Sequence, residues 1–105
     1  MTIEQRLQIL DNRFAECRET FTAKGKSYAG NKDALSNFKQ VASMTGQTVF
    51  QVWASYFIKH VLSLTNAITD NPGNPVDKSE GNDGRVTDII NYAVLFECLA
   101  KEDNG

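Results

Sequence analysis

The chain has 105 residues, of which 41% are hydrophobic and 23% charged, with a formal net charge of −2. That length supports one hydrophobic core, so a single domain over residues 1–105 is expected, and the ordinary balance of apolar and charged residues excludes a disordered or fibrous chain. The slightly negative charge argues against duplex nucleic acid as a partner, because tracking phosphates over several base pairs needs a broad basic face. Cys17 and Cys98 have neither metal nor redox spacing and read as two buried thiols. The first residues carry no apolar h-region and no apolar run reaches the length of a bilayer span, so the expectation is a cytoplasmic protein without a membrane segment.

Thr2 and Gln5 have capping-box spacing and open a first helix. Its stripe of Ile3, Leu7, Leu10, Phe14, Cys17 and Phe21 predicts one packed face, ending near Lys24 with a stop at Gly25. Asp33 is placed to cap a second, short helix with Leu35, Phe38, Val41, Ala42 and Met44 inward and Gly46 as its terminator. Thr48 and Gln51 repeat the capping box and start the most apolar segment, which predicts a central helix to about Asp70. Residues 71–84 hold both prolines and no hydrophobic periodicity, and predict a long loop. A last helix is expected from about Arg85, with Val86, Ile89, Ile90, Ala93, Phe96 and Ala100 on its inner stripe and Tyr92, Leu95 and Leu99 beside it. The fold class that follows is all-α: a small four-helix bundle with a long loop before the last helix. Helices three and four carry more apolar surface than one such unit can bury, which predicts a homo-oligomer, most simply a dimer.

The segment Lys24 to Lys39 is basic in an acidic protein: Lys24, Lys26, Lys32 and Lys39 face the single Asp33. Lysines neutralise an anion, glycines admit close backbone approach, and Tyr28 and Phe38 offer stacking faces, so the segment contains the ingredients of a nucleotide-phosphate site. The alternative is a solvated, solubilising loop. His60, the one histidine, falls on the Trp53, Phe57, His60, Leu64 stripe beside Lys59, and a lysine amid apolar residues must reach solvent or a carboxylate. Asp88 is the candidate partner, giving either an interhelical clamp of Lys59, His60 and Asp88 or a binding site. Glu16 and Glu19 have one-face spacing for a divalent metal and resemble the first half of the ExxE…ExxD motif of MazG-like pyrophosphohydrolases. Residues 40–69 contain no Asp or Glu to complete it, so an exposed ion-pair role with Arg13 and Arg18 is preferred. No nucleophile–base ordering or nucleotide-binding motif occurs, so no catalytic residue, metal or cofactor is assigned. The Gly81-Asn-Asp-Gly84-Arg85 run forms a second possible anion site at a helix start, the alternative being Asp83 as a cap.

Lys26-Ser-Tyr28-Ala, Ala34-Leu-x-Asn37-Phe38, Tyr56-x-x-Lys59-His60 and Arg85-x-x-Asp88-x-x-Asn91-Tyr92 together resemble the nucleotide modification associated domain 1 family of small bacteriophage proteins. The resemblance covers about residues 12–100 and implies an all-α protein linked to phage nucleotide metabolism. It implies that Lys26, Tyr28, Asn37, Phe38, Lys59, His60, Arg85 and Asp88 matter, and Lys24 joins them from the basic segment. Ser27 stands where the family often has aspartate before the tyrosine, which weakens any carboxylate-dependent chemistry.

The leading expectation is a protein that binds a nucleotide-derived, phosphate-bearing ligand without turnover, with Tyr28, Phe38 or Trp53 stacking on its base. The phage resemblance adds sequestration of a host-defence signal in the host cytoplasm. Two alternatives are a nucleotide-modifying or nucleotide-hydrolysing enzyme using Glu16, Glu19 and Asp88, and an inhibitor that masks a host enzyme through an acidic loop of Asp70, Asp77, Glu80 and Asp83.

Overall fold

The computed structural model describes residues 1–29 and 33–102, without the side chains of residues 25 and 27–29. Lys32, and the side chains of Ser27 and Tyr28, therefore lie outside the described residues. The described chain is all-α, with α1 (Ile3–Ala29), α2 (Ser36–Thr45), α3 (Val49–Asp70) and α4 (Gly81–Glu102) and no strand.

Both capping boxes form. In the first, the Gln5 amide donates to Thr2 Oγ1 at 3.1 Å and the Thr2 amide to Gln5 Oε1 at 2.8 Å; in the second, Gln51 and Thr48 do the same at 3.2 and 2.9 Å. Gly46 ends α2 in the left-handed region at φ +69°, where a side chain would be strained. Gly25 does not end α1, which runs on to Ala29. One glycine inside a helix costs only about 1 kcal/mol relative to alanine, which flanking turns offset. Asp33 does not cap α2 directly. It closes the preceding turn by accepting from the Leu35 amide at 3.0 Å, and Leu35 takes the cap position without a side-chain bond.

Leu35, Phe38, Ala42, Val52 and Leu99 form the buried core, flanked by half-buried Val41, Trp53, Tyr92 and Leu95. It lies where α2, α3 and the second half of α4 meet. Met44 is exposed, contrary to its expected inward place, because the α2 stripe follows Leu35, Phe38 and Ala42. α3 packs mainly on α4, and α1 docks along α4 through Cys17, whose thiol reaches the Thr87 carbonyl at 3.9 Å. Burial there pushes the Cys17 pKa up. Cys17 is buried as expected, whereas Cys98 is only half-buried.

Two expectations about packing fail. Residues 1–12 of α1 are exposed throughout, so its apolar face is covered only from Cys17 onward. α4 also turns a different face inward: Arg85, Thr87, Asp88, Asn91 and Leu99 are buried, while Val86, Val94 and Phe96 are exposed. Polar groups can occupy a buried face when paired, and Arg85, Thr87 and Asp88 are.

The loop before α4 is shorter than expected because the helix begins at Gly81 rather than Arg85. Asp77 is responsible. Its Oδ1 accepts the amides of Ser79 and Glu80 at 3.0 Å each, its carbonyl accepts from the Gly81 amide at 2.9 Å, and its own amide donates to Asn82 Oδ1 at 2.8 Å. Asn82 Nδ2 in turn donates to the Pro75 carbonyl at 2.9 Å. Gly81 has φ +72°, a left-handed turn that lets the chain enter α4 from this cap.

The Asp77 side chain is fully buried, with Oδ2 accepting from Arg85 Nε at 2.8 Å and Ser63 Oγ at 2.7 Å. Arg85 foremost, then Ser63, hold its carboxyl far below the usual carboxylate range. A depressed folded-state pKa gives stability that is present above the unfolded Asp value near 4 and is lost as pH falls toward the folded value. Asp77→Ala leaves a buried guanidinium without its main partner and is expected to destabilise by about 3 kcal/mol. In urea unfolding followed by circular dichroism, the wild type loses stability below pH ~4, and Asp77→Asn shows a shallower acid dependence over the same range.

Candidate functional site

A recess of about 860 Å³ draws its walls from all four helices, a volume ordinary for small-molecule sites. It gathers eight of the nine residues singled out in the sequence. Lys24 and Lys26 come from the end of α1, Asn37 and Phe38 from the start of α2, Lys59 and His60 from mid-α3, and Arg85 and Asp88 from the first turns of α4. The ninth, Tyr28, has its side chain outside the described residues.

One end of the recess is a connected polar cluster. Arg85 is anchored behind by Asp77 and presents Nη1 to His60 Nδ1 at 2.5 Å and to Asp88 Oδ2 at 3.6 Å. Asp88 also meets Lys24 Nζ at 3.4 Å and His60 Nδ1 at 3.7 Å. A guanidinium can only donate, so Nδ1 of His60 is the acceptor and the ring is neutral with its proton on Nε2. Burial pushes the His60 pKa down, Asp88 opposes that, and Arg85 and Lys24 add to it. Toward the far end of α4, Lys39 bridges Asp33 at 2.7 Å and Glu102. The Asp33 bond, then that of Glu102, raises the Lys39 pKa, and the same contact lowers that of Asp33.

Lys59 does not meet Asp88, whose partners are Lys24, Arg85 and His60. Lys26 and Lys59 both line the recess and have no carboxylate within salt-bridge distance among the described residues. Among the described residues they are the cations of this cavity not already paired with a carboxylate.

The aromatic wall consists of Phe38, Tyr56 and Tyr92, in edge-on or tilted pairs with centroids 6.3–6.4 Å apart. Phe38 is almost wholly buried, so half-buried Tyr56 and Tyr92 hold the exposed ring surface. Tyr92 also packs on His60 with centroids 4.6 Å apart. Trp53 is not part of the recess. It stacks on Phe57 at 4.8 Å and donates Nε1–H to the Tyr92 carbonyl at 2.7 Å, a structural role in the α3–α4 contact.

Several sequence assignments separate in space. Glu16 and Glu19 are exposed and outside the recess, so they do not join Asp88, and no group of three metal-ligating side chains occurs among the described residues. Arg13 does not pair with Glu16; it bonds Asp83 at 3.3 Å and Thr87 Oγ1 at 2.9 Å. Asp83 is therefore neither a cap for α4 nor part of an anion site with Arg85, whose side chain is buried against Asp77. The acidic loop loses Asp77 as a surface charge for the same reason. Asp77, Ser63, Tyr56 and Tyr92 were not assigned to the site from sequence, although Tyr56 and Tyr92 stand within the quoted motifs.

Comparison with protein-family models, with curated proteins and with solved structures finds no match to this chain. The described molecule is an all-α protein with a recess lined by paired and uncommitted cations, and no helix among the described residues is long and apolar enough to cross a membrane.

The His60 geometry gives a spectroscopic expectation. Its imidazole should titrate below the ordinary 6.5 in the folded protein, and Asp88→Asn, which removes the one nearby charge favouring protonation by direct contact, should lower it further. A folded-state histidine pKa below the unfolded one gives stability that is present above pH 6.5 and lost as pH falls through the folded value. Imidazole proton or nitrogen shifts against pH in the two proteins measure both effects.

Proposed function

We propose that this protein binds a nucleotide-derived, phosphate-bearing small molecule in the recess between its helices and does not turn it over. The helices are read as a small bundle, with the segment 71–80 leading into the last one. The observation that carries the reading is the pair Lys26 and Lys59, two cations without carboxylate partners among the described residues, on the same cavity as the exposed faces of Tyr56 and Tyr92. Such cations neutralise phosphate oxygens, and a half-buried tyrosine ring supplies a stacking surface for a base.

Arg85 has a different part in this reading from that of a free phosphate clamp. With Nε on Asp77 and Nη1 on His60, it sets the position of His60 and Asp88. The neutral His60 offers a hydrogen-bond donor at Nε2, and Asn37 adds amide donors and an acceptor, which suits the sugar or base edge of a ligand. The bacteriophage resemblance supplies the biological setting, in which holding a host-defence nucleotide signal is the natural use of binding without reaction.

Isothermal titration with a panel of mononucleotides, cyclic nucleotides and ADP-ribose-type compounds tests the proposal. At least one should bind, and Lys26→Ala or Lys59→Ala should each weaken it roughly 10- to 100-fold, corresponding to the loss of a charge-assisted hydrogen bond of about 1.5–3 kcal/mol. Absence of heat with every compound at millimolar concentration removes the proposal, and magnesium-dependent consumption of a bound nucleotide replaces it with an enzymatic one.

A further inference from the structure

Ile3, Leu7, Leu10 and Phe14 of α1 are 69, 53, 44 and 53% exposed. They recur at alternating intervals of four and three residues, the spacing of a two-helix seam, and Cys17 continues the row at the point where α4 takes over its cover. α1 and α4 lie side by side in the same direction, with Arg13 against Asp83 and Cys17 against Thr87. The first turns of α1 therefore extend past the start of α4 as a helical arm with every residue from 1 to 12 exposed. The row is a contiguous apolar stripe that nothing among the described residues covers, and such exposed apolar surface marks an association face.

We infer that the partner is α1 of a second copy, paired in parallel and in register along Ile3, Leu7, Leu10 and Phe14. The flanking charges select both occupant and direction. With Leu7 and Phe14 as a positions and Ile3 and Leu10 as d positions, the e positions are Glu4 and Asp11 and the g positions are Arg6 and Arg13. In a parallel pair, Arg6 of each copy meets Asp11 of the other, two attractive contacts per dimer. In an antiparallel pair, arginines would face arginines and carboxylates would face carboxylates. Below Phe14 the seam runs into a shallow groove between α1 and α4 bordered by Phe21, Ile90 and Val94, so apolar surface continues where the arms diverge.

Analytical ultracentrifugation of the full chain should give twice the 11.7 kDa of one chain at tens of micromolar. Leu7→Asp and Leu10→Asp should each lower the dimer fraction at least tenfold, while Gln8→Asp, with the same charge on the outward face, should leave it unchanged. Circular dichroism of the variants separates dissociation from unfolding. In a Cys98→Ser background, Leu7→Cys should give a disulfide-linked dimer on mild oxidation, because parallel register alone sets position 7 against itself. A monomer at every concentration, or a dimer indifferent to Leu7→Asp and Leu10→Asp, overturns the inference. A dimer that Leu7→Asp disrupts but Leu7→Cys does not cross-link overturns the parallel arrangement.

Discussion

The contact between Asp77 and Arg85 connects more of this molecule than any other. One carboxylate closes the turn before α4, receives the hydroxyl of Ser63 from α3 and fixes the guanidinium of Arg85, all within a solvent-free space. Arg85 then sets His60 and Asp88, and Asp88 reaches Lys24 near the end of α1. A buried ion pair stabilises little in net terms, because desolvation consumes most of the Coulombic gain. Its effect here is geometric: it defines where the polar side chains stand and makes a single unpaired substitution costly.

The same set of contacts decides the electrostatics of the recess. Asp77 and Asp88 carry two negative charges against the two positive charges of Arg85 and Lys24, while neutral His60 adds none. That cluster is balanced. Among the described residues the positive charges of the recess beyond this cluster are those of Lys26 and Lys59. The Lys39 bridge to Asp33 and Glu102 is net negative and sits some 17 residues along α4 from Arg85, roughly 25 Å at helical rise.

Much of this was legible in the sequence where local chemistry acts alone. Thr48 with Gln51, Thr2 with Gln5, and Gly46 each terminate or open a helix through contacts within a few residues, and they stand where their spacing placed them. The face of α4 was not legible, because hydrophobic periodicity finds the widest apolar stripe and assumes that it faces inward. In α4 the inward row is Arg85, Asp88, Tyr92, Leu95 and Leu99, polar at one end and apolar at the other, and its spacing of three and four was visible but masked by the valines and isoleucines beside it. Asp77 was hidden for another reason: inside a Pro- and Gly-rich stretch it reads as a solvated charge until Arg85 and Ser63 are known to close on it.

That α4 buries polar groups at its start and apolar ones at its end explains the division of labour in α1. Its second half borders the recess with Phe21, Lys24 and Lys26, where the polar row of α4 needs partners. Its first half passes beyond the start of α4 and meets no such partners among the described residues, so the apolar seam there is exposed. The two halves are one continuous helix, and Arg13 contacts Asp83 and Thr87, two residues to either side of Arg85. The surface through which copies would associate and Lys24, which meets Asp88 of the polar cluster, thus belong to one helix.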